Sequence, residues 1–181
     1  MKTLKTIQLL AKIGAILSKI IFVFCIVGFC FNVIGIIGLA VGLSDVRIGD
    51  VTLKSLIENE AGLSLGALYA ELAVGAIVTA TEAVLSKFAA HYFDREQADG
   101  TPFTLGGAKE LMRHGILTIC LSLGAEILAH IVHGILARSM TGVGPLETGT
   151  SSSVAFGVMM LIVALICRYG AEREENRDGI A

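Results

Sequence analysis

IIFVFCIVGFCFNVIGIIGLAVGL, residues 20–43, is the stretch whose reading decides the fold: 24 consecutive residues without a charge. As a helix rising about 1.5 Å per residue it extends roughly 36 Å, enough to cross a hydrocarbon core of about 30 Å with some tilt. Ala40-Val41-Gly42 has the small-x-small pattern of a signal cleavage site. The apolar region of a signal peptide, however, is only about 7–15 residues long, so this run reads as a retained first span.

Three more apolar runs follow. The second covers residues 63–85 and is interrupted by Glu71 and Glu82. The third, 115–137, carries Glu126, His130 and His133, and the fourth, 150–167, opens on small hydroxyl residues that tolerate an interface. The expectation is an all-α integral membrane protein: a four-helix transmembrane bundle forming one domain over residues 1–181. Composition agrees, with 54% hydrophobic and 17% charged residues and a mean hydropathy of +0.77, against about 25% charged in a typical soluble domain. A net charge of -2 gives no basic excess for nucleic acid. The four cysteines all fall inside apolar runs and none forms a CxxC pair, so they read as small packing residues.

Orientation follows from the basic residues. Lys2, Lys5, Lys12 and Lys19 precede span one; Lys87, Arg95, Lys109 and Arg113 lie between spans two and three; Arg168, Arg173 and Arg177 follow span four. Only Arg47, Lys54 and Arg138 belong to the other two connections. By the positive-inside rule both termini and the segment 86–114 face the cytoplasm. Residues 2–19 read either as a separate basic amphipathic helix on the membrane surface or as a continuation of span one with snorkelling lysines. The outer connection 44–62 has the pattern of a short amphipathic helix in its second half, and 138–153 reads as irregular.

The segment 86–114 predicts a cytoplasmic helical hairpin. SKFAAHYFDREQ extends span two, Gly100 caps its end, Pro102 excludes helix before it, and Thr104 is an N-cap for the helix leading into span three. The stretch HYFDREQADGTPFTLGGAKELMRHGI, residues 91–116, resembles a bacterial family of small four-span membrane proteins catalogued as domain of unknown function 2975. The likeness rests on the aromatic pair Tyr92-Phe93, the turn Gly100-Thr101-Pro102-Phe103-Thr104, and Arg113-His114-Gly115. It implies a protein of the bacterial cytoplasmic (inner) membrane, often encoded beside small helix-turn-helix regulators, and hence a cytoplasmic regulatory partner. It implies no catalytic residue. The tail RYGAEREENRDGIA matches such relatives in charge and departs from them in its final residues.

Charged groups at mid-membrane cost about 2.5–3.5 kcal/mol each on insertion scales, so those inside the spans need an explanation. Glu71, Gly75, Val78 and Glu82 share one helical face of span two, and Ser122, Glu126, His130 and His133 share one face of span three. Glu71 and His130 come out at similar depth. The expectation is that Glu71, Glu126, His130 and His133 face the bundle interior, with a contact between the two spans. Three roles remain open for them: interhelical packing, a proton-titrating or transport site, or a site for Zn or a similar divalent metal formed by Glu126, His130 and His133. Their spacing lacks the HExxH pattern of helical zinc proteases. On span one, Gly28, Gly35 and Gly42 repeat every seven residues and Gly38 completes a GxxxG, a helix-packing seam either within the chain or of a homo-oligomer.

No phosphate-binding loop, GxSxG nucleophile, CxxCH motif or dinucleotide fingerprint occurs. The functional expectation is a non-enzymatic multi-pass membrane protein of regulatory, sensory or protein-interaction type. The alternative is an oligomeric proton-coupled transporter or channel using Glu71, Glu126 and His130.

Overall fold

The structure, a computed structural model, describes residues 2–42, 47–48, 51–52, 64–99, 104–146 and 151–178. Its helices are α1 (Lys2–Ala40), α2 (Leu65–Asp99), α3 (Leu105–Ser139) and α4 (Ser151–Asp178). Between α1 and α2, β1 (Arg47–Ile48) and β2 (Val51–Thr52) pair antiparallel, Arg47 opposite Thr52. The helix expected in the second half of that connection lies outside the described residues. All four helices are long and apolar enough to cross a membrane.

Their lengths follow from where the breakers fall. Both prolines, Pro102 and Pro145, sit between helices, so nothing in a helix interior removes a hydrogen bond. The basic N-terminal segment and span one therefore form one unbroken helix of 39 residues. α1 stops because Gly42 takes a positive φ of 84°, and its N–H bonds back to the Leu39 carbonyl at 3.2 Å. Thr104 caps α3 as expected: its hydroxyl accepts the Gly107 N–H at 2.9 Å. α2 ends at Asp99, immediately before the glycine predicted to cap it.

The chain divides into two compact units. The first comprises residues 1–23, 82–123 and 149–181, and so holds all of α4. The second comprises 24–81 and 124–148, and its helices are segments of α1, α2 and α3.

The interiors are built from small residues. In the first unit Ala15, Ala83, Ala108 and Ala164 are buried with Ser18, Thr118 and Ser122; in the second, Cys25, Ala70 and Ala129 are. Large apolar side chains point outward, among them Phe24, Phe31, Ile162 and Ile166. A water-soluble bundle places such groups inside. Lipid tails are as apolar as leucine, so in a bilayer only close backbone approach is gained by burial, and small residues win the interior. Among the described residues none of the four cysteines forms a disulfide.

Glycine contacts set the helix pairings in the first unit. A Cβ on Gly115 of α3 would lie 3.1 Å from the Gly157 carbonyl oxygen of α4, and one on Gly157 3.1 Å from that of Gly115. The sequence places Gly115 at the inner end of its span and Gly157 near the outer end of its own. The structure instead sets the start of the third apolar run beside the second turn of α4. Two glycines let the backbones approach this closely.

In the second unit Ser64 ties the start of α2 to the chain leaving α3. Its hydroxyl accepts the Ala67 N–H at 3.0 Å and donates to the Gly142 carbonyl at 2.8 Å. Ser64→Ala removes the cap and the tie, and is expected to cost about 1–2 kcal/mol. Unfolding of the detergent-solubilised chain measures it, and an unchanged midpoint would show that Ser64 holds nothing.

Candidate functional site

The residues singled out within the spans fall in the second unit and are only partly gathered. Glu71 and His130 are exposed on the chain, while Glu126 and His133 are half-buried. Among the described residues no hydrogen bond or ion pair joins Glu71 to His130. The neighbours explain this. Ala70 and Ala129 take the buried positions at 2% and 1% exposure, and a residue one step along a helix is turned away by about 100°. Gly75, on the same α2 face as Glu71, lies against Asn32 of α1: a Cβ there would meet the Asn32 Oδ1 at 2.8 Å. Among the described residues no three His, Cys, Asp or Glu side chains are placed to hold a metal ion, so Glu126, His130 and His133 are not assembled as ligands.

The glycine seam is used within the chain. Gly28 packs on Thr79 and Gly35 on Leu72, both of α2. Gly38 is half-buried, and Gly42 lies past the helix end as its stop. Asn32, which sequence reading passed over, donates to the Gly28 carbonyl at 2.9 Å and so satisfies its amide within its own helix.

The first unit holds a denser set of polar contacts, where α2 and α3 approach their connection. Gly100, Pro102 and Phe103 of the predicted turn lie outside the described residues; Thr104 is the cap already described. Glu96 is buried at 7% exposure, and its carboxylate rests against Gly107 in the first turn of α3, where only a glycine leaves room. Negative charge is favourable there because the first helical N–H groups lack intrahelical partners. Tyr92, seven residues beyond the second apolar run, donates its hydroxyl to Glu96. Burial first, and then the Glu96 charge, push the Tyr92 phenol well above its ordinary value, so it remains a neutral donor. Arg95 pairs with Glu110 across the two helices, and Lys19 of α1 reaches Asp94 at 2.9 Å. The Lys19 pair is half-exposed and contributes at most about 1 kcal/mol. Phe93 covers Gly14 of α1 with its ring and meets Tyr92 edge-on, centroids 5.4 Å apart.

Two clefts open beside this network and share His114. The larger, about 370 Å³, takes Ser18 from α1, Ser86 from α2, His114 and Thr118 from α3 and Ser153 from α4, between apolar walls that include Ile21, Leu85 and Phe156. The smaller, about 210 Å³, is charged and lined by His91, Tyr92, Glu110, Arg113 and His114. His114 is 8% exposed, and among the described residues its Nδ1 has no hydrogen-bond partner. Its backbone carbonyl accepts the Thr118 hydroxyl at 2.9 Å.

Sequence reading quoted His114 only as part of a motif and did not separate it from Arg113 and Gly115. Ser18, Ser86, Thr118 and Ser153 carried no signal at all, because single hydroxyls in apolar helices are common and their convergence depends on how four helices pack. No family model, curated protein or solved structure matches this chain.

Proposed function

We propose that this is a non-enzymatic multi-pass membrane protein that acts by sensing or by protein interaction, with the α2–α3 hairpin as its partner-facing part. The observation that carries the reading is the continuation of α2 and α3 past their apolar runs into a capped, ion-paired pair of helices. A bare connection needs no such order. The basic-residue distribution supports placing both termini and this hairpin in the cytoplasm. The likeness of residues 91–116 to the bacterial four-span family supports an inner-membrane location and a cytoplasmic regulatory partner.

Reporter fusions after residues 55, 98, 145 and 181 should read outside, inside, outside and inside; an outside signal at 98 overturns the hairpin's role. A photo-crosslinking residue at the exposed Gln97 should then capture a soluble protein in cells, and one at the lipid-facing Phe24 should not. Adducts at Gln97 formed solely between copies of the chain would remove the partner.

A second reading has its own observation. Glu71 and His130 lie exposed on a single chain, where lipid would meet them at a cost of about 2.5–3.5 kcal/mol each. Association of copies would cover them, as an oligomeric proton-coupled transporter or channel requires. Proton flux in vesicles reconstituted with the chain, abolished by Glu71→Gln, would favour it.

A further inference from the structure

We infer that the four-helix cleft at His114 binds an uncharged, lipid-soluble small molecule carrying a hydroxyl or carbonyl group on an apolar ring.

Size comes first. A cleft of about 370 Å³ is large enough for a small ring system, falling within the roughly 300–1,000 Å³ of typical ligand sites. Its walls then select the chemistry. Among the described residues no Lys, Arg, Asp or Glu lines it, so a charged ligand would lose hydration without finding a countercharge there. Its polar groups are hydroxyls of Ser18, Ser86, Thr118 and Ser153 and the imidazole of His114. Serine and threonine hydroxyls both donate and accept, and so does a neutral imidazole, so hydroxyl and carbonyl ligands are equally served.

His114 lines the cleft and is more than nine-tenths buried, and among the described residues its Nδ1 has no hydrogen-bond partner, where buried polar groups nearly always have one. The apolar surfaces of Leu85 and Phe156 provide the seat for a ring between these polar points. Entry through lipid fits a chain whose outer surface is phenylalanine, isoleucine and leucine. The neighbouring cleft differs in kind, since Arg113, Glu110 and His91 line it. The two therefore prefer different ligands, although they share one imidazole.

The test uses the full chain in detergent, with 1-naphthol as probe, protein-free micelles as background, and naphthalene and 1-naphthalenesulfonate as comparators. The expected result is saturable binding of 1-naphthol, with naphthalene at least about tenfold weaker because it leaves the polar groups unmet. The sulfonate should not displace the probe. Ala89→Phe, which places a ring in the cleft, should abolish binding. Ser86→Ala and His114→Leu, each verified as folded by circular dichroism, should narrow the preference for 1-naphthol over naphthalene. Equal binding of naphthalene to the unaltered chain would overturn the proposal. So would displacement by the sulfonate, which would move the site to the charged cleft. An undiminished preference in both Ser86→Ala and His114→Leu would overturn it as well.

Discussion

Gly157→Leu is expected to cost roughly 2–4 kcal/mol, the largest loss of any single change considered, because it drives a side chain into a backbone contact with no slack. A Cβ alone at Gly157 would come within 2.6 Å of the Ile119 Cγ1 and 3.1 Å of the Gly115 carbonyl oxygen. The first can turn aside, but the second is main chain of α3 and moves only if the helices part. In lipid, helices cohere through such close approach rather than through expulsion of water, so a separation of even an ångström forfeits much of the attraction. The control is Gly134→Leu in α3, whose added Cβ meets nothing within 4 Å. Denaturant unfolding of the solubilised chain, followed by circular dichroism, should show a lowered midpoint for Gly157→Leu and none for the control. Equal midpoints would mean that α3 and α4 do not cross on these glycines.

Gly107→Ala should be the next most damaging change, at about 2–3 kcal/mol, although it adds one methyl and raises helix propensity. The methyl would occupy the place of the Glu96 carboxylate. Glu96 would have to leave a buried position, releasing the Tyr92 hydroxyl and the first turn of α3 together. The sharper outcome concerns the pair. With Glu96→Ala already in place the added methyl meets only the Thr104 hydroxyl, at 3.0 Å, so adding Gly107→Ala to Glu96→Ala should cost much less than Gly107→Ala costs in the unaltered chain. Additive losses would show that the two residues do not meet.

Parts of this site were legible and parts were not, for physical reasons. The Thr104 cap could be read because a cap is local: a hydroxyl ahead of a helix reaches an N–H three residues on, whatever the rest of the chain does. The contact of Glu96 with Gly107 joins two helices across the connection, and nothing in the DREQ run marks that acid as the buried one. Helical spacing correctly placed Glu71, Gly75 and Glu82 on one face. Spacing does not say which helix that face meets, and Gly75 turned out to meet Asn32 of α1 rather than α3.

The sequence alone determined the four apolar helices, since predominantly apolar runs of this length are stable in lipid as helices with their backbone bonds made internally. It likewise determined the helix start at Thr104, because a threonine cap acts within a few residues of itself. Tertiary structure decided the rest: which glycines became crossings, why α4 meets α3 at Gly115, and why Glu71 and His130 are exposed while Glu96 and His114 are buried. Among so many apolar residues hydrophobicity no longer distinguishes inside from outside. Only the fit of small residues between helices does, and that fit is a property of pairs, which a single strand of sequence does not carry.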